Sequence, residues 1–259
     1  MEKRKKGTME VGRKPFQGVI NIVRFNWHFY LITTIALTTI FFFANYLPEG
    51  LKPLLFVGTA LAIFTIIISL LVSYYIYDVS DLYELTWLPD CNKRSILNVS
   101  AGFDESSDYI LAKYPGCKLE ICDFYDPIKH TEVSIKRART AYPPHGATIS
   151  VTTESLPFKN KKFDCTLANL AAHEIRNEEE RINFFIELKR VTKDEGQIYV
   201  TEHLRDVNNF IAYNIGFLHF HSKSTWLSTF ENAGFAVVKE IKTTPFISTF
   251  ILKKHGNTH

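Results

Sequence analysis

Two stretches without a charged side chain, Phe25 to Leu47 and Pro53 to Tyr77, set the first limit on this chain. Each exceeds the roughly 20 apolar residues that a helix needs to cross a bilayer. Helices of soluble proteins seldom run that far without a polar face. Between the stretches, Leu47-Pro48-Glu49-Gly50-Leu51-Lys52-Pro53 reads as the turn of a helical hairpin. Trp27, His28 and Tyr30, Tyr46, and Tyr74, Tyr75 and Tyr77 stand where interfacial aromatic belts belong. The first run is too long for a signal peptide, shows no small-residue cleavage site and is followed at once by a second span.

Charge gives the hairpin an orientation. Residues 1–24 hold seven basic side chains against two acidic ones, a balance of +5 in a chain whose total is +3, so the rest carries −2. The basic leader predicts a cytoplasmic N-terminus near anionic headgroups. Two spans return the chain to the same side, so the expected location is the cell (inner) membrane, multi-pass, with a cytoplasmic catalytic body. A slightly acidic body excludes a general nucleic-acid binder, whose footprint is basic. Cys91, Cys117, Cys122 and Cys165 form no C-x-x-C pair and sit in or beside apolar runs, as reduced thiols of a cytosolic domain do.

Four units follow: a basic tail at 1–24, two transmembrane helices at 25–77, a connector at 78–94 with Tyr83, Trp87 and Leu88 for packing, and a body at 95–259. In the body, strands are expected at Ser95–Ser100, Lys118–Cys122, Ala147–Thr152, Phe163–Asn169 and Gln197–Thr201, the last after a turn at Lys193-Asp194-Glu195-Gly196. Helices are expected at Ser106–Tyr114, His130–Tyr142, Glu178–Val191 and Ser224–Ala233. The third of these has Ile182, Phe185, Ile186 and Leu188 on its apolar side, and Gly234 stops the fourth. Ala236–Ile241 and Phe246–Leu252 close the body as strands. Such alternation implies a doubly wound α/β fold, mostly parallel, with helices on both faces.

Ligands of such sheets bind beyond the carboxyl ends of the strands. The first turn there, Asn98-Val99-Ser100-Ala101-Gly102-Phe103-Asp104, has the small residues that let a backbone approach a ligand. Asp123 ends the second strand, where a carboxylate can accept hydrogen bonds from both hydroxyls of a ribose. G-x-G-x-x-G is absent after the first strand, which counts against a Rossmann-type oxidoreductase.

The later segments are more specific. Leu156-Pro157-Phe158, a polar turn, Phe163-Asp164 with its strand, and Ala172-His173-Glu174-Ile175 resemble the class I S-adenosylmethionine-dependent methyltransferases, of the methyltransferase type 11 kind. Leu188-Lys189-Arg190-Val191, Gly196 and the strand Ile198 to Thr201 match the same family, and the resemblance runs from Ser95 to about Lys253. It implies a Rossmann-like seven-stranded sheet with an antiparallel last pair, and S-adenosylmethionine as cofactor. It places Ser100, Ala101 and Gly102 on the methionine part, Asp123 on the ribose, Phe124 beside the adenine, and Asn169 and Leu170 at the sulfonium. Asn98 stands where the family has an acid, Ser100 and Asp104 where it has glycines, and Thr152 or Thr153 where an acid near the adenine is common.

The acceptor side is expected from three loops. They carry His173, Glu174 and Arg176; Glu202, His203, Arg205 and Asp206; and His219 and His221 within the aromatic segment Phe210 to Trp226. Methyl transfer mainly needs alignment, and a hydroxyl acceptor also needs a base, for which His173, then His203, then His219 are the candidates. Glu202 completes the catalytic set. No metal is expected, because His219 and His221 have no acidic or cysteine partner at metal spacing. Tethering points to a lipophilic small-molecule substrate (a quinone, a phenol or a lipid-like molecule) with membrane lipids as surroundings. The alternative is a membrane-tethered scaffold or regulator with a degenerate methyltransferase fold.

Overall fold

The computed structural model describes residues 13–255. The cationic run Lys3 to Lys6 lies outside them. Seven strands form one sheet: β1 Ser95–Ser100, β2 Lys118–Asp123, β3 Thr148–Ser150, β4 Phe163–Asn169, β5 Thr192–His203, β6 Phe235–Thr244 and β7 Ile247–Lys254. Their order is β3-β2-β1-β4-β5-β7-β6, with β1 to β5 parallel and β7 antiparallel to both β5 and β6. β1 has β2 on one side and β4 on the other. Strand order reverses there, and a crevice opens beyond the strand ends. From Ile96 onward β1 is buried on both faces, as a central parallel strand must be.

The helices are α1 Gln17–Phe25, α2 Trp27–Phe43, α3 Lys52–Tyr74, α4 Ser107–Lys113, α5 Val133–Ala141, α6 Glu178–Val191, α7 Val207–Tyr213 and α8 Lys223–Asn232. α6 starts on Asn177, whose side chain accepts from the Glu180 N–H, and has glutamates in its first turn and Lys189 and Arg190 in its last. Its buried face is Phe184, Phe185, Leu188 and Val191, together with Arg181. Ile186, expected on that face, is 44% exposed. Arg181 is tolerated inside because it donates to Thr229 Oγ1 (3.0 Å) and the Ile175 carbonyl (3.1 Å). The Phe184–Phe185 pair packs with Trp226 and Phe230 on one face of the sheet, and Trp87, Ile110, Tyr114 and Tyr199 pack on the other.

Lys193 to Gly196 do not form a turn before β5. They belong to one long strand whose register with β4 jumps between Phe163 and Cys165. The extra residues are absorbed as an irregularity, which such a polar, glycine-ended run allows.

Part of the expected tail is an ordered helix. In α1 the Gly18 and Val19 N–H groups donate to the Asp78 carboxylate at 2.7 and 2.8 Å, clamping this helix to the end of the hairpin. Tyr142 O–H donates to Asn21 Oδ1 (3.0 Å), and the Phe25 ring meets Phe103 and Tyr142 edge-on. α1 thus lies across the turn after β1 and the end of α5. Its other side exposes Phe16, Ile20 and Val23. α2 buries no residue and α3 only Ser73. The helical stretches that contain them, Trp27–Tyr46 and Glu49–Glu84, are long and apolar enough to cross a membrane.

Candidate active site

A cavity of about 490 Å³ occupies the crevice. Ala101, Phe103 and Ser106 reach it from the turn after β1, and Asn169 and Leu170 from the end of β4. Thr201 and His203 reach it from β5. The opposite wall comes from the N-terminal helices: Ile22 and Phe25 of α1, Tyr30 of α2 and Ser69 of α3. That wall was not foreseen from the sequence, which showed those residues only as leader and span.

The turn after β1 is held from beneath. The Asn98 amide donates to Asp104 Oδ1, Ser106 Oγ and Ser107 Oγ (2.9–3.1 Å). Asn98 is buried and fixes the turn without facing the cavity, and Ser100 Oγ donates to the Cys122 carbonyl (3.3 Å). Gly102 has φ +100°, and a Cβ there would stand 2.9 Å from the Tyr125 ring, so only glycine fits.

Asp123 is buried, and both its oxygens are engaged. One accepts the Tyr125 N–H (2.9 Å) and the other pairs with Arg139 of α5, which also donates to the Gly102 carbonyl. Arg139 was missed by sequence reasoning. Taking a ribose at Asp123 requires this guanidinium to share the carboxylate or to swing away, and its side chain is 28% exposed. Two expected cofactor contacts are corrected. Phe124 is 2% exposed and packed on Phe184, so its ring belongs to the core. Thr153 is buried and donates to Glu180 Oε1 (2.5 Å).

Asn169 is the feature that fits a cofactor best. Its side-chain nitrogen and oxygen are both buried and have no partner among the described residues, yet the residue lines the cavity. A buried amide left unpaired costs about 1–3 kcal/mol, so this one awaits a polar ligand. Leu170 follows with φ +49°, its N–H donating to the Thr201 carbonyl (2.8 Å). Ala101, Gly102, Asp123 and Asn169 are the residues that would hold S-adenosylmethionine.

At the acceptor end the loops converge. His173 Nδ1 meets Glu202 Oε2 at 2.6 Å, and Glu202 is fully buried behind it. His173 Nε2 faces Glu174 Oε1 at 3.3 Å, which also lies 3.5 Å from His219 Nε2. His219 Nδ1 meets Glu132 Oε1 at 2.8 Å. Burial alone would lower the His173 pKa, but Glu202 and Glu174 outweigh it and raise it to about 10. The ring therefore holds a proton at neutrality and is not the free base that its position after β4 suggested. Burial opposes the charge on Glu174, but hydrogen bonds from His173 and His219 hold its carboxyl well below the usual range.

His203 is differently placed. Tyr77 O–H donates to Nε2 (2.8 Å), Nδ1–H donates to Asn209 Oδ1 (2.9 Å), and the ring stacks on Phe220. Neither nitrogen is left for an acceptor, so His203 acts as a strut between the hairpin and β5. Burial pushes its pKa down to about 4. Arg205 donates to the Phe220 and Leu218 carbonyls, and Asp206 caps α7 through the Asn209 N–H. His221 stacks edge-on against Trp226, away from the converging loops.

Comparison with known proteins agrees with this geometry. Residues 125–200 match a family model described as a methyltransferase domain. No curated protein matches the chain. An S-adenosylmethionine-dependent methyltransferase from Aquifex aeolicus is similar in fold, with a TM-score of 0.53 at 14% identity, covering 73% of this chain and 97% of that one. A methyltransferase bound to its activator from Haloferax volcanii gives 0.52 at 12%, covering 71% and 93%. A family 2 O-methyltransferase from Planctomyces limnophilus, in complex with apigenin, gives 0.51 at 14%, covering 73% and 60%.

Proposed function

From a body that is a class I S-adenosylmethionine-dependent methyltransferase, we infer that the whole chain is a membrane-anchored enzyme acting on a lipophilic small molecule. One observation carries this reading: the same cavity is walled by the turn after β1 and by Tyr30 and Ser69 of the hairpin helices. An acceptor that partitions between the spans has a path to the cofactor turn. The bilayer itself is supported by α2 and α3, whose apolar side chains point outward, with Phe41 and Phe42 more than 70% exposed. In water that much exposed apolar surface would drive association. α7 packs on α3 and, with the turn after it, exposes Val207, Phe210, Ile211, Ile215 and Leu218 beside the same helices. This surface suits a shallow contact with lipid at the mouth of the cavity.

S-adenosylmethionine supplies a methyl group activated on a sulfonium. The protein's part is alignment and exclusion of water. Asn169 and the backbone around Gly102 orient the donor end. Phe25, Phe103 and Phe220 dry the space between, and the His173 cluster meets the polar head of the acceptor. A quinol, a phenol or a lipid headgroup fits this division into an apolar tail and an ionisable oxygen.

The test is to incubate the detergent-solubilised chain with methyl-labelled S-adenosylmethionine and membrane lipid extract. Label is expected in the organic phase. Label confined to water-soluble products would overturn the lipophilic acceptor. The second reading, a tethered scaffold with a closed cofactor site, is favoured by the Asp123–Arg139 pair. Absence of S-adenosylhomocysteine binding in calorimetry would favour it over an enzyme.

A further inference from the structure

We propose that His173, Glu174 and His219 form a binding site for one divalent transition-metal ion, of the zinc class, inside the acceptor end of the cavity. The sequence argued against a metal because it offered His219 only a sequence neighbour, His221. The fold instead supplies His173 and Glu174 from the loop after β4.

Three observations carry the site. First, the spacing is right. Donors around a tetrahedral zinc, at about 2.0–2.1 Å from the ion, stand about 3.4 Å apart. Glu174 Oε1 lies 3.3 Å from His173 Nε2 and 3.5 Å from His219 Nε2, and the three donor atoms all fall within 4.8 Å of one another. Second, each imidazole is turned by a carboxylate on its far nitrogen: Glu202 on His173 Nδ1 and Glu132 on His219 Nδ1, at 2.6 and 2.8 Å. That arrangement orients a histidine ligand and makes its free nitrogen a better donor. Third, three protein ligands leave a coordination position open, and all three residues line the cavity that also holds the unpaired Asn169 amide.

Charge points the same way. Three carboxylates, Glu174, Glu202 and Glu132, face two imidazoles, and that surplus of acidic groups favours a cation. The opposing group is Arg176. Its guanidinium lies against the His219 ring, with Nη2 2.9 Å from Nε2. Its side chain is 43% exposed, so it can turn outward to solvent. Arg176 thus takes the place of positive charge when the metal is absent. With the ion in place, the open position suits an anionic oxygen such as a phenolate or enolate, which narrows the acceptor class of the reading above and rests on it. Metal binding itself does not depend on that reading.

The experiment uses the full chain in detergent, stripped with a chelator and titrated with Co²⁺ by visible absorption and with Zn²⁺ by calorimetry. One equivalent is expected, with the intense visible bands of four-coordinate cobalt. Glu174→Gln and His219→Ala should each abolish those bands. Glu202→Gln should weaken Zn²⁺ binding roughly 10–100-fold as a positioning carboxylate, and Arg176→Ala should tighten it. S-adenosylhomocysteine binding, measured on the same samples, reports folding and the cofactor turn separately. No stoichiometric binding, or Zn²⁺ affinity unchanged in Glu174→Gln and His219→Ala that still bind S-adenosylhomocysteine, overturns the site.

Discussion

At Asp123 one carboxylate has two suitors. Position in the chain marks it for a ribose, and the fold adds Arg139 from α5 as a competing partner. Asp123→Ala should still weaken S-adenosylmethionine binding, by on the order of 1.5–3 kcal/mol, because it removes hydrogen bonds to a charged acceptor; calorimetry against wild type measures it. His203 gives a different residue-scale expectation. Its pKa falls from 6.5 to about 4 on folding because burial penalises the cation. The unfolded chain therefore binds the proton more readily, so stability is full above about pH 6.5 and is lost as pH falls toward 4. Between pH 7 and pH 5 the loss from this one group is about 2 kcal/mol. Thermal melts at the two pH values should show a larger drop for wild type than for His203→Gln. What the sequence could not disclose at this scale are partners far along the chain. Arg139, Glu132 and the Tyr77–His203 contact join residues with no periodicity or motif between them, so only the folded chain brings them together.

Elements were legible where composition or burial carries a pattern. β1 and β4 appear where short apolar β-type runs placed them and α6 where helical spacing did, and Gly234 ends α8 with φ +77° as its position foretold. β5 was misread at its start because Lys-Asp-Glu-Gly has the composition of a turn. Pairing with β4 on one side and β7 on the other outweighs that local preference. α1 was hidden for another reason. Arg24 and the basic residues ahead of the helix read as leader, masking a helix whose inner side is Gly18, Asn21 and Phe25. That inner side is tightly fitted, since a Cβ at Gly18 would run into the Tyr77 Cβ and stand 2.8 Å from Asp78 Oδ2. Gly18→Val should therefore lift α1 from the body at a cost of about 1–3 kcal/mol or more. Faster proteolysis at Arg24, with Asp78→Ala as the companion variant that removes the clamp, checks this expectation.

For the whole molecule, we propose that the hairpin returns the chain to the side of the bilayer from which it entered, and that the basic leader makes that side the cytoplasm. A reporter fused after His259 that works only outside the cytoplasm should stay silent, and activity there would reverse the assigned orientation. The wall that Tyr30 and Ser69 give the cavity has a further kinetic meaning. For the membrane-anchored enzyme proposed above, an acceptor arriving between the helices is counted by its mole fraction in the lipid, and its bulk molarity drops out. Enzyme and acceptor then meet in two dimensions, and adding inert lipid at constant total acceptor slows the reaction as dilution slows one in solution.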